Sequence, residues 1–208
     1  MKKLVATSLV FCSVLALSPS AMSKQPKYKA IFNLASDPGY YKYVEYLPSH
    51  RSENPLQLVV LDKRPAEEKV YNEDIQWFYD DIWTEPPSSM LKKIFLRELR
   101  KSRMFKSVDL VRQESSLVLE IELTSFIGHY YGEGRVAKGE VKIHSILKYP
   151  PGNRIIMDKK YEGTSSYQVH RFAKGWKHIC YHIGKALHTV VQDMMVDLEN
   201  AILREKEK

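Results

Sequence analysis

Cysteine is all but missing from this chain: of 208 residues, only Cys12 and Cys180 carry a thiol. Cys12 lies inside an N-terminal apolar run, so removal of that run leaves one thiol and excludes an intramolecular disulfide. Long hydrophobic runs are missing as well. The longest, Leu4 to Leu17, falls short of the roughly 20 apolar residues that a spanning helix needs. No G-x-S-x-G elbow and no H-E-x-x-H pair occurs, which removes the usual sequence signs of a serine hydrolase or a zinc protease. No internal repeat or low-complexity tract is visible, which excludes a repeat array.

What is present begins with Lys2 and Lys3 ahead of the apolar run and with Ser18, Ser20, Ala21 and Ser23 behind it. That order predicts a secretory signal peptide cleaved after Ser23. The expected organisation is a signal peptide over residues 1–23, an irregular arm over 24–54 and one folded domain over 55–208. Phe11 directly before Cys12 does not suit an acylation site, so the exported chain is expected to be soluble in the periplasm rather than lipid-anchored. Its formal charge of +7 falls by two once Lys2 and Lys3 are removed. An exported chain with so modest an excess does not point to nucleic acid, and the clustering of the bases matters more than their sum.

Pro26, Pro38, Pro48 and Pro55 break any helix in the tyrosine-rich arm and permit only short extended pieces such as Tyr28 to Leu34. Leu56 to Leu61 is a nearly continuous apolar run, as expected of a strand covered on both faces. The aromatic-rich Ile75 to Ile82 predicts a second strand, stopped by Pro86 and Pro87. From Leu117 to Phe126, leucine and isoleucine alternate with Glu120, Glu122 and Thr124 in the manner of a half-buried strand. Glycines 128, 132 and 134 predict a turn. Val141 to Tyr149 and Arg154 to Tyr161 complete an antiparallel meander.

Two helices stand out by their period. Ser88 offers a cap to a helix that carries Leu91, Ile94, Phe95 and Leu99 on one face. A second helix from about Gly175 shows one stripe through Trp176, Ile179, Cys180, Ile183, Leu187, Val190, Val191, Met194, Leu198 and Ile202. The end, Arg204 to Lys208, reads as frayed and solvated. With one apolar stripe per helix and one apolar strand face to match, the expected fold is a single α+β domain whose two helices pack on one face of the sheet.

Few residues suggest chemistry. Cys180 sits within the apolar stripe, where a thiol serves as packing. Gly132-Glu133-Gly134-Arg135-Val136-Ala137 fits G-x-G-x-x-A, yet it joins two strands and offers no helix start to a phosphate. His178 and His182 are one helical turn apart on the side read as solvent-facing, with no third ligand, so no metal is expected. Glu120 and Glu122 share the polar face of one strand. The first helix is different: Lys92, Lys93, Arg97, Arg100, Lys101, Arg103 and Lys106 surround Glu98 as the only acid, a face suited to anionic lipid head groups, lipopolysaccharide or an acidic protein.

The block Trp83-Thr84-Glu85-Pro86-Pro87 leading into that helix resembles the signature of the auxiliary (lipo)proteins of MCE-type ABC lipid transporters. The order of elements is similar over roughly Leu56 to Ile202, through Arg103-Met104-Phe105-Lys106-Ser107-Val108, the strand closing on Ser125-Phe126, the hairpin at Arg154-Ile155-Ile156 and the final helix. This resemblance implies a small mixed sheet packed by two helices and a non-catalytic protein without cofactor or metal. It also implies work beside an MCE-domain protein and an ABC permease that move phospholipid across the bacterial envelope. Lys92, Lys93, Arg97, Arg100, Lys101 and Trp83 are then the candidate lipid- or partner-binding residues. A lipopolysaccharide-assembly accessory protein and, behind it, a secreted hydrolase are the alternatives, and a homo-oligomer is left open.

Overall fold

A computed structural model describes residues 32–69, 83–111, 116–131, 136–149, 152, 154–168 and 175–207. The expected signal peptide, the expected strand at Ile75 to Ile82 and the Gly132–Arg135 turn lie outside these residues. Among the described residues the chain runs β1 (Leu56–Asp62), α1 (Pro87–Ser102), β2 (Val108–Asp109), β3 (Leu117–Tyr131), β4 (Val136–Tyr149), β5 (Arg154–Gln168) and α2 (Gly175–Lys206). The strands form one sheet in the order β2-β1-β3-β4-β5. β1 pairs in parallel with β2 and β3, and β3, β4 and β5 form the antiparallel meander. The architecture is therefore a single α+β domain with a mixed sheet, as expected.

Register decides which face is apolar. Leu56 and Leu58 stand opposite Leu117 and Leu119, and Leu119 and Leu123 stand opposite Leu147 and Ile143. All of these are buried. They belong to one cluster that also contains Leu91, Ile94, Phe95 and Leu99 of α1 and Ile179, Ile183, Leu187, Val190 and Met194 of α2. Both helices thus cover one face, the only arrangement in which two single-striped helices satisfy a sheet with a single apolar face. The helix meets the sheet closely at Gly163, where a Cβ would lie 2.1 Å from the Ala186 carbonyl oxygen. Only glycine leaves room for that approach.

The opposite sheet face is charged. Lys148 reaches Glu120 at 2.5 Å, and Lys142 spans Glu140 and Glu162, each at 3.1 Å. His144 bridges Glu122 at 3.1 Å and Asp158 at 2.6 Å. Such cross-strand pairs tie β3, β4 and β5 together on the side away from the helices.

Several local readings change. The helix starts at Pro87 with Pro86 as its N-cap and no side-chain cap, so Ser88 lies inside the first turn rather than capping it. Proline suits that position because its missing N–H would have no intrahelical partner. Gly128 lies in the ladder opposite Gly139 and not in a turn, and the hairpin strands run well past Phe126 and Tyr161. The cause is a bulge between Leu123 and Ser125, which shifts the apolar alternation from odd to even positions and hides the strand's continuation. β1 is fully covered on one face only, since Leu61 is exposed. The C-terminus is not frayed at Glu205, whose carboxylate pairs with the Arg154 guanidinium.

The arm is irregular in backbone yet seated in the core. Phe32, Leu34 and Tyr41 are buried in the same cluster as the sheet, and Phe32 forms a parallel bridge with Trp83. Farther along, Tyr46 Oη donates to Glu199 at 2.5 Å, and the amides of Ser49 and His50 donate to the same carboxylate at 2.6 and 2.7 Å. The arm crosses α2 so closely that a Cβ on Gly184 would meet the Tyr40 carbonyl oxygen at 1.7 Å.

Candidate functional site

The bases of α1 do point away from the apolar stripe, but several are engaged by the protein itself. Lys93 pairs with Glu85 at 2.7 Å. Burial raises the Glu85 carboxyl, and the hydrogen bonds from Lys93 and Asn33 outweigh that and hold it below the ordinary range. Arg97 donates to Tyr43 Oη at 2.9 Å, and its guanidinium carbon stands 3.9 Å from the centroid of that ring. The Lys101 ammonium lies 5.4 Å from the same ring. Arg100 donates from Nε to the Val108 carbonyl at 2.9 Å and lies 3.6 Å from Asp109. These contacts fasten α1 to its entrance turn, to the arm and to β2. Lys92 is half-buried on the flank.

Trp83 is not on that surface. It is 4% exposed and stands edge-on to Phe32 and Phe126, with centroids 6.5 and 5.4 Å away. Its ring keys the start of α1 into the core, a use of aromatic area that leaves nothing for a partner.

Three bases that have no hydrogen-bond or ion-pair partner among the described residues, Arg51, Arg103 and Lys106, gather with Arg100 at the C-terminal end of α1. Arg51, Arg100, Arg103 and Lys106 line a cleft of about 510 Å³ together with Ser52, Ser107, Glu53 and Asp109. The helix stops at Ser102, and Arg103 follows with φ 55° and ψ 27°, in the left-handed region. Glycine is the usual residue there, since a side chain in that conformation costs about 1 kcal/mol or more. A cation near the helix C-terminus offsets part of this through the macrodipole.

A second cleft of about 530 Å³ lies where the arm crosses α2, lined by Tyr40, Lys42, Thr164, Ser165, Tyr181 and Lys185 among others. His188 Nδ1 donates to the Lys42 carbonyl at 2.7 Å and closes one side. His182 departs from expectation: its residue is buried and its Nδ1 lies 2.7 Å from Ser165 Oγ, under the helix rather than on the solvent side. Burial, with Lys185 nearby, lowers its pKa. His178 and His182 therefore do not open toward a common ion, and no three His, Cys, Asp or Glu side chains converge among the described residues. Cys180 is buried, and burial pushes its thiol far above the ordinary range.

One important residue was misplaced by the sequence pattern. Glu98, read as the lone acid on a basic surface, is 1% exposed. Its Oε1 accepts from Tyr41 Oη at 2.7 Å and from the Val44 amide at 2.8 Å. The signal was available in the spacing, because position 98 falls on the same face as 91, 94, 95 and 102.

No family model matches the chain, and no curated protein matches it. The fold is similar to that of protein XCC0632 from Xanthomonas campestris, of the DUF330 family. The crystal structure of that protein superposes with a TM-score of 0.57 at 14% identity, over 78% of this chain and 99% of that one. An uncharacterized protein follows at 0.49 and 11% identity, over 74% of this chain and 96% of that one. The hypothetical protein CT253 from Chlamydia trachomatis gives 0.47 and 9%, over 72% and 98%. At 14% identity the likeness to XCC0632 is one of fold alone.

Proposed function

We propose that this protein is a non-catalytic auxiliary component of an MCE-type ABC transport system for phospholipid or another lipid of the bacterial envelope. What carries the reading is the Trp83–Pro87 block. In this fold the block keys Trp83 between Phe32 and Phe126 and starts α1 at Pro87, at the place in the element order where the resemblance puts it. Arg51, Arg100, Arg103 and Lys106 cluster in one cleft at the C-terminal end of α1. The working partners are an MCE-domain protein and an ABC permease. Export by the signal peptide and cleavage after Ser23 place the chain in the periplasm, and intact mass of the exported protein tests that step.

Co-purification tests the assignment. The tagged exported chain, crosslinked in cells, should retain an MCE-domain protein and its permease. A crosslinked pool that contains neither overturns the reading.

A further inference from the structure

We infer that the cleft at the C-terminal end of α1, together with the Leu110-Val111 tip beside it, docks this protein on an anionic phospholipid bilayer. This goes beyond the proposed transport role, because membrane docking and partner binding use separable surfaces. The outer face of α1 is a poor candidate for such docking, since Lys93, Arg97 and Arg100 already have partners within the chain. Arg51, Arg103 and Lys106 differ. All three are exposed and line the cleft, and among the described residues their side chains have no hydrogen-bond or ion-pair partner. The cleft holds four bases against Glu53 and Asp109, and Asp109 is shared with Arg100.

Two further observations select a lipid surface over a free anion or an acidic protein. β2 ends at Asp109, and the next two residues, Leu110 and Val111, are 45% and 77% exposed. Consecutive Cα atoms lie about 3.8 Å apart, so this aliphatic pair stands at the rim of the basic cleft. Cations beside an exposed aliphatic pair match a bilayer, whose phosphates attract the bases and whose acyl boundary accepts the aliphatic side chains. The second observation is Arg103 itself. A left-handed position that glycine would fill without strain carries a base instead, and strain retained at the edge of a charged cleft suits a binding role better than a folding role.

Sedimentation with vesicles tests the inference on the mature full-length chain. Vesicles of equal parts phosphatidylglycerol and phosphatidylcholine should bind the protein, vesicles of phosphatidylcholine alone should bind it far less, and added salt should weaken the first. Each base near an anionic surface contributes roughly a fivefold factor in partition, so Arg51→Gln, Arg103→Gly and Lys106→Gln combined should lose on the order of 100-fold. Arg103→Gly alone should weaken binding while its melting transition stays at or above that of the parent, which separates docking from folding. Leu110→Ser with Val111→Ser should weaken binding at every salt concentration. Equal binding to both vesicles, or a triple variant that binds like the parent, overturns the inference. So does binding to poly-glutamate that matches the vesicles and ignores the Leu110 and Val111 changes, which would make the cleft a protein-facing surface. The crosslinking assay on the same variants reads the transport role separately. Variants that lose vesicles but keep the MCE-domain protein uphold docking as a distinct function, and a parent that keeps the partner yet shows no preference for phosphatidylglycerol removes docking alone.

Discussion

The Tyr41 hydroxyl donates to Glu98 at 2.7 Å inside the core, so a residue of the irregular arm is hydrogen-bonded to the middle of α1. The Tyr41 ring also leans on His188 of α2, with centroids 6.4 Å apart. One side chain therefore bridges the two helices, and the carboxylate that receives it also satisfies the Val44 amide. Burial and the adjacent Glu98 raise the Tyr41 pKa far beyond its ordinary value, which keeps the phenol a donor at any working pH.

Removing Glu98 should be costly. Glu98→Ala strips two inward-facing donors of their acceptor at about 1–3 kcal/mol each, so urea unfolding should show a loss of about 2–6 kcal/mol. Tyr41→Phe should cost less than Glu98→Ala. A loss below about 0.5 kcal/mol for Glu98→Ala would show that water replaces the carboxylate.

Phe95 is fully buried in the stripe of α1. Phe95→Ala should lower stability by about 3–5 kcal/mol through lost burial and a residual cavity. A change under about 1 kcal/mol would place the ring at the surface.

At Gly163 the sheet and α2 have no room for a methyl group. Gly163→Ala should cost about 1–3 kcal/mol or more, because the atom it meets is backbone and cannot rotate away. Thermal melting compared with Gly152→Ala is the control, since Gly152 has nothing within 4 Å of its added Cβ but a φ of +87°. An effect at Gly163 no larger than that at Gly152 would mean that α2 shifts to admit the added methyl group.

The histidines should give opposite pH signatures. The hydrogen bond to Asp158, helped by Glu122, raises the His144 pKa over the opposing effect of desolvation. Its contribution to stability is full below about pH 6.5, the ordinary value, and fades as pH rises through the higher folded value. His182 is lowered by burial, so it destabilises the fold as pH falls below about 6.5. His144→Gln should reduce stability at pH 5 more than at pH 8, as read from denaturation midpoints. His182→Asn should flatten the acid-side decline, and the reverse pattern would refute both assignments.

Glu199 anchors the arm at three points near Tyr46, Ser49 and His50. Burial raises its pKa, and hydrogen bonds led by Tyr46 bring it below the ordinary value. Glu199→Ala should increase hydrogen exchange at the Ser49 and His50 amides while the amides of α1 keep their protection. Uniform loss across both regions would mean global destabilisation.

Features with an unbroken local period were legible in the sequence. The stripe of α2 keeps its helical spacing from Ile179 to Ile202, and all its described members are buried. The strand from Leu117 was legible as far as Phe126, and the bulge between Leu123 and Ser125, which breaks the alternation, hid its continuation to Tyr131. Contacts between distant segments were not legible. Nothing near Arg97 signals that Tyr43 lies across from it, and proline spacing in the arm excludes a helix without showing that Tyr41 is buried. The candidate site shifted for the same reason: charge on α1 was visible, whereas which bases the protein itself occupies depends on long-range packing.

The position of β1 in the sheet shapes how the chain acquires its structure. β1 lies between β2 and β3, but β2 pairs with it only at Leu56 and Gln57 and the full-length pairing is with residues from Leu117 onward, so as synthesis proceeds from the N-terminus most of β1 has no partner until β3 exists. The meander needs no such wait, since β3, β4 and β5 close on their immediate neighbours and α2 lies on them. The C-terminal half is therefore the natural nucleus, and the parallel closure around β1 is the slow, high-contact-order event. Altering Leu119 should slow folding, whereas altering Phe95 in the late-docking layer should mainly hasten unfolding. Until that closure, the apolar run from Leu56 to Leu61 has bare edges, and the nascent chain is most vulnerable to misassociation there.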